Sequence, residues 1–249
     1  MAKSCIYSSI WGRYLGTGTE LEFGTCPQIE EYGNIQTTMK LKKGVLIVLD
    51  GIDGTGKTTQ AKRILASLLK KGVDAVYFRE PSDSKFGLAI KRKAVIPDSL
   101  TPAMELDLFQ KDRRENVEKN LKPALGKKKV IVLDRYYFST IAYQGARGFD
   151  PEMIQRQNES FAVIPDVVVI LDIDPKKGLD RIAIGREKMD EHFEREDYLI
   201  KVREIFRSFE GENIHHLDAS RSEKDIYEDI EKIVFDFLRS IKSDSSPNC

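Results

Sequence analysis

Residues 51–58 read Gly51-Ile52-Asp53-Gly54-Thr55-Gly56-Lys57-Thr58, the pattern G-x-x-x-x-G-K-[ST]. Three glycines let a short loop turn its backbone N–H groups inward, and a helix starting at its end adds the positive end of its dipole. Such a loop cradles the phosphates of a nucleoside triphosphate. Lys57 places a cation at the β- and γ-phosphates, and Thr58 offers a hydroxyl to Mg²⁺. The binding segment is expected to comprise Gly51, Ile52, Asp53, Gly54, Thr55, Gly56, Lys57, Thr58 and Thr59. Phosphate binding leaves the reaction open, because switches, motors and kinases all use a loop of this kind.

Three further clusters bear on the reaction. Arg79-Glu80-Pro81 follows an apolar segment, where an arginine is either solvated or a phosphate ligand. Phe109 and Arg113 stand four residues apart, on one face of any helix that contains them. An aromatic ring can stack on a base and a guanidinium can bond base oxygens, although Phe109 taken alone reads more readily as core. The third cluster, residues 134–145, opens on Asp134-Arg135 and contains Thr140, Tyr143 and Gln144. Asp134 ends an apolar run, as an acid that helps hold Mg²⁺ would, and Arg135 follows it toward the ligand crevice.

These groups need rigid supports. Apolar runs predict strands at 45–50, 74–78, 130–134 and 167–173, with a weaker one at 213–217. Between the first two, Ala61, Ile64, Leu65, Leu68 and Leu69 share a helical face, and Gly72 ends the helix. Thr101-Pro102 reads as N-cap and first helical residue before a helix through Met104, Leu108, Phe109 and Val117. Ser222 and Asp225 form a capping signature before a last amphipathic helix through Ile226, Ile230, Ile233, Phe237 and Ile241. Continuous apolar strands alternating with helices predict an α/β fold, a parallel sheet covered on both faces, hence three layers.

Composition narrows the field. The chain has 249 residues with 40 Lys+Arg against 40 Asp+Glu, 41% hydrophobic and 32% charged. A balanced charge gives no support to a nucleic-acid partner, and no apolar run approaches a membrane span. The cysteines, Cys5, Cys26 and Cys249, form neither a disulfide framework nor a zinc pattern, which suits a reduced, cytoplasmic setting. Residues 1–38 lack periodicity and hold two basic and four acidic residues, so they are expected to be a poorly ordered extension. Met39 is an alternative start. Residues 39–242 make the predicted domain, with net charge +2 over 39–249, and 243–249 read as a tail.

Over about residues 44–240 the chain resembles the thymidylate kinases. The resemblance rests on DGTGKTTQ at 53–60, REP at 79–81, LFQKDR at 108–113, DRYYFSTIAYQG at 134–145 and PDVVVILD at 165–172. It implies a P-loop NTPase fold with a five-stranded parallel sheet, a short helical lid at about 180–195, and a homodimer. It further implies transfer of phosphate from ATP, with Mg²⁺, to dTMP. Asp53, Arg79 and Arg135 would meet the acceptor's sugar and phosphate. Phe109 would stack on thymine, Arg113 would bond its O4, and Thr140 would lie near N3. Tyr143 would crowd the 2′ position with Gln144 close by, while Thr58 and Asp134 would hold the metal. Adenine would rest near Ala219–Arg221. The branch with an arginine inside the phosphate loop is not matched, since Gly54 stands there, so a lid arginine should act on the transferring group. Arg186 is the first choice and Arg181 the second. Two departures from the family pattern are His192, before Phe193-Glu194, and Ser82-Asp83-Ser84-Lys85, where glycines are usual.

Other readings are a deoxynucleoside kinase with Glu80 as base, another nucleoside monophosphate kinase, or a nucleotide-binding regulator. The Asn-Lys-x-Asp guanine reader of a GTPase does not occur in the sequence.

Overall fold

The computed structural model describes residues 39–93, 101–183 and 191–242. The expectations for the 1–38 extension, the 243–249 tail and Arg186 lie outside them.

Five strands form one parallel sheet in the order β2-β3-β1-β4-β5. They are β1 (Val45–Gly51), β2 (Ala75–Arg79), β3 (Val130–Asp134), β4 (Val167–Asp172) and β5 (Ile214–Asp218). Each predicted strand is present, with ends shifted by one residue at most. The central strand β1 is fully buried, as its unbroken apolar run requires, because helices cover both faces. Parallel register sets Arg79 beside Asp134 and Leu49 beside Asp134. The carboxyl ends of β1, β2 and β3 therefore present Gly51, Arg79 and Asp134 at one edge.

The helices are α1 (Lys57–Lys70), α2 (Lys85–Lys93), α3 (Pro102–Asn116), α4 (Lys122–Gly126), α5 (Tyr137–Gly145), α6 (Pro151–Glu159), α7 (Pro175–Ala183), α8 (Glu191–Arg207) and α9 (Glu223–Ser240). A π turn, Val117–Leu121, joins α3 to α4. Thr101 caps α3 by accepting from Met104 N at 3.3 Å, and Ser222 caps α9 by accepting from Asp225 N at 3.1 Å.

Two predicted apolar faces are corrected. On α1, Ala61, Ile64 and Leu68 are buried but Leu69 is 50% exposed. The buried stripe runs through Gln60, Ile64 and Leu68, and Leu69, one residue or about 100° further round the helix, faces away from it. On α9 the fully buried row is Ile226, Ile230, Val234 and Leu238, with Ile233 and Phe237 at its margin. Of the expected lid at about 180–195, residues 180–183 close α7 and α8 begins at Glu191, while 184–190 lie outside the described residues.

Candidate active site

Asp50 organises the junction of β1 and β3. It is fully buried, and burial raises its pKa. Its carboxylate accepts from Gly51 N at 2.9 Å, Tyr136 N at 3.1 Å, and Ser139 N and Oγ at 3.0 and 2.6 Å. These bonds hold Arg135, whose φ is +70°, in a turn few L-residues adopt, between β3 and α5. The Arg135 guanidinium then reaches back across the crevice, bonding Asp53 and donating to Ser139 Oγ at 2.9 Å. Its ring neighbour is Tyr143, 5.7 Å from the guanidinium carbon.

Lys57 is 6% exposed, with its ammonium donating to Ile52 O at 2.8 Å and lying 3.9 Å from Asp53 Oδ1. Burial, reinforced by Arg135, pulls its pKa down to about 7, against the attraction of Asp53, Asp50 and Asp134. Thr58 Oγ1 donates to Asp134 Oδ2 at 2.6 Å, and Tyr77 donates to the same oxygen at 3.0 Å. Asp134 Oδ1 is buried and without a hydrogen-bond partner. An unused carboxylate oxygen beside a threonine hydroxyl suits Mg²⁺, which takes one or two protein ligands and completes its shell with water and phosphate oxygens.

The phosphate loop separates two cavities. One, of about 320 Å³, is lined by Gly54, Thr55, Gly56, Thr59, Arg181 and Arg221 among others. Arg181 is seated there, donating to Ala219 O at 3.0 Å and Gly54 O at 3.3 Å. Gly54 has φ +82°, and a Cβ on it would lie 2.2 Å from Gly178 O in α7. No side chain fits at that position, so the backbone of α7 excludes a loop arginine from it.

The second cavity, of about 330 Å³, brings together Asp53, Arg79, Phe109, Arg113, Arg135, Thr140 and Tyr143. Seven acceptor-side residues picked from the sequence thus share one space. Gln144 does not line it; its side chain is buried, with Oε1 unpartnered. Phe109 is half-buried on the cavity wall and does not belong to the core, so its reading as core is not supported. Arg113 is 1% exposed. It donates to Glu80 Oε2 at 2.8 Å, Asn158 Oδ1 at 2.7 Å and Thr140 Oγ1 at 3.0 Å. Glu80 Oε1 accepts from Asn116 at 3.0 Å, and burial raises the Glu80 pKa against the pull of Arg113.

Several of these supports escaped the sequence reading. Asp50 carried a signal, since a charged residue ending a fully apolar strand must find buried partners. Ser139, Asn116 and Asn158 carried none, because their roles arise from contacts distant in sequence.

A parallel sheet with a phosphate cradle, a buried lysine, a threonine–aspartate pair and a second cavity rich in arginine defines a phosphotransferase of the P-loop class. Comparison with known proteins narrows this. Residues 49–230 match the family model for thymidylate kinase. The chain is 42% identical over 199 residues to a probable thymidylate kinase of Archaeoglobus fulgidus, covering 80% of this chain and 99% of that protein. It is 41% identical over 188 residues to the thymidylate kinase of Brachyspira hyodysenteriae, covering 76% and 92%. The chain belongs to the thymidylate kinase family. Among the described residues no helix is long and apolar enough to cross a membrane.

Proposed function

We propose that the chain transfers the terminal phosphoryl group of ATP, with Mg²⁺, to the phosphate of dTMP, yielding dTDP and ADP. The observation that carries this reading is one cavity lined by three arginines, Arg79, Arg113 and Arg135. Arg113 lies with Phe109 and Thr140, groups suited to a base, while Arg79 and Arg135 lie with Asp53 beside the phosphate loop. Homodimeric assembly and a cytoplasmic setting belong to the same proposal, from the family alone.

The chemistry follows from charge. The acceptor is already an anion, so no general base is required, and the obstacle is the approach of two polyanions. Mg²⁺, held by Thr58 and Asp134, would supply neutralising charge at the phosphates. Lys57 and Arg135 would lower the repulsion further, and Arg135, anchored by Asp53 and Ser139, would be oriented before substrate arrives. Loop amides from Gly51 to Thr59 would hold the donor phosphates. The cavity beside Arg181, Ala219 and Arg221 would take the adenine.

Glu80 disfavours a nucleoside kinase. The base such an enzyme needs would be Glu80, and both its oxygens are already engaged, by Arg113 and Asn116.

Coupled ADP release measured with dTMP, dUMP, UMP, AMP and thymidine tests the proposal. Turnover is expected with dTMP and not with thymidine. Efficient turnover of another acceptor without dTMP would overturn it.

The arginine that acts on the transferring group is tested separately. Arg186→Ala is expected to lower kcat by about 10³-fold or more with little change in KM for dTMP. Arg181→Ala is expected to raise KM for ATP instead, since Arg181 is seated in the donor cavity. A kcat loss confined to the Arg181 variant would reverse the two roles.

A further inference from the structure

We propose that a third cavity, walled by α1, the loop after β2 and the π turn, binds a phosphate dianion, and that its occupant draws Arg79 away from the acceptor. The inhibitory effect rests on the function proposed above. The cavity measures about 620 Å³ and is lined by Thr58, Lys62, Arg79, Lys119 and Asn120 among others. Arg79, Pro81 and Lys91 also line the acceptor cavity. Lys62, Lys119 and Asn120 line neither the acceptor cavity nor the donor cavity, so the third space has a wall of its own.

A proline shapes that wall. Pro123 has no N–H, and in an α-helix its ring would crowd Lys119 O. The chain widens instead into the π turn, where Lys122 N donates to Val117 O. Across this turn Asn120 donates to Asn116 Oδ1 at 2.9 Å, and Asn116 donates to Glu80 Oε1 at 3.0 Å. Charge selects the ligand. Four cations, Lys62, Arg79, Lys91 and Lys119, and two acids, Asp83 and Glu115, belong to the lining. Lys91 pairs with Asp83 at 2.8 Å and Lys119 with Glu115 at 2.7 Å. Among the described residues Lys62 makes no ion pair, and Arg79, its side chain 54% exposed, approaches Asp134 only to 3.8 Å. Asp134 is the carboxylate proposed to hold Mg²⁺, so Lys62 and Arg79 are left to a doubly charged anion. A phosphate group has that charge and the acceptor oxygens that ammonium and guanidinium groups bind. Arg79 is the guanidinium shared with the acceptor cavity. A dianion that engages it leaves the dTMP phosphate one cation short, which weakens dTMP binding without altering the transfer step.

The test varies dTMP at saturating ATP with inorganic phosphate or glycerol 3-phosphate added, ionic strength being held constant with chloride. In the wild type phosphate is expected to raise KM for dTMP and leave kcat unchanged. Inhibition by glycerol 3-phosphate as well would extend the site to phosphate monoesters, and inhibition by phosphate alone would restrict it to the free ion. In Lys62→Ala/Lys119→Ala the kinetics without added anion are expected to match the wild type. Inhibition by phosphate is expected to weaken about tenfold or more, the loss that charged hydrogen bonds to an anion imply. Both lysines are exposed, so the fold should hold; if it does not, Lys62→Ala alone is measured in the same way. No inhibition of the wild type would overturn the site. Equal inhibition of the variant would also overturn it, by placing the anion where the acceptor phosphate binds. A raised KM for dTMP in the variant without anion would overturn it by making the cavity part of the acceptor site. A wild type that does not phosphorylate dTMP would overturn the function and leave the site to be read by calorimetry. Phosphate is then titrated into wild type and variant loaded with ADP, which fills the phosphate loop. Binding lost in the variant upholds the site, and equal binding overturns it.

Discussion

Lys57→Met is expected to lower kcat by about 10²–10³-fold, the cost of removing one preorganised donor from a transferring group. The fold should survive. Met has similar length and fits a site where the residue is only 6% exposed. Burial has already pulled the lysine pKa down to about 7, so the folded chain gains little from the charge at neutral pH. The pH dependence follows from the same depression. Below pH 7 both folded and unfolded chains carry the proton, and the cost of burying it is fully present. Between about 7 and the ordinary lysine value of 10.5, the unfolded chain holds a proton that the folded chain has released, so this group's contribution to stability rises with pH. A bound triphosphate restores the charged form. Binding of ATP at pH 8 should therefore take up a fraction of a proton, rising toward one at higher pH and vanishing near pH 6. Calorimetry in buffers of different ionisation heat measures this, and Lys57→Met should abolish it. Proton uptake that persists in the variant, or a kcat that does not change, would remove Lys57 from the role proposed for it.

Arg113→Ala is expected to destabilise the fold by about 3–5 kcal/mol, as well as relaxing base choice. The guanidinium is 1% exposed and faces Glu80, itself 3% exposed. Its removal leaves a buried carboxylate whose pKa burial already raises. Without its arginine that pKa should climb further. A carboxyl with a raised folded pKa loses stability as pH rises above its unfolded value, so the variant should melt closer to the wild type at pH 5 than at pH 8. Removing both charges, as Arg113→Met with Glu80→Gln, should recover much of the loss because no uncompensated charge remains. Base selectivity should not recover, since the guanidinium proposed to read the base is still absent. Thermal melting of the single and double variants, with kcat/KM for dTMP against dCMP, whose base has an amino group in place of O4, separates the two effects. An alanine variant that melts like the wild type at pH 8 would refute the structural part. An unaltered base preference in the folded double variant would refute the recognition part.

The two arginines show how far local pattern carries. The Phe109–Arg113 spacing predicts a shared helical face, and the pair does share one cavity. Spacing says nothing of Asn158, which lies 45 residues away from Arg113 and accepts one of its hydrogen bonds. The departure at Ser82-Asp83-Ser84-Lys85 reads from sequence only as an irregularity. It becomes intelligible once Asp112 is found at hydrogen-bond distance from both hydroxyls. Gly54 shows the same limit: the sequence reveals a missing arginine, and only the α7 backbone at Gly178 shows that none fits.

By itself the sequence determined what short-range physics controls. Glycine spacing specifies the backbone of the phosphate loop, apolar runs specify buried strands, and Ser222 and Thr101 mark helix starts through their own side-chain bonds. The loop's chemistry was legible because it is made by consecutive residues. The acceptor cavity was legible as a list of residues, through a family resemblance, but not as a space. Asp53, Arg79, Arg113 and Arg135 come from separate segments, and they converge because β2 and β3 lie beside β1 in parallel register. The order of strands decides which strand ends meet, and it depends on packing the whole core. The supports of Asp50, Glu80 and Asp112 were decided only by the tertiary structure, for each buried carboxylate needs donors that the chain delivers from far along its length.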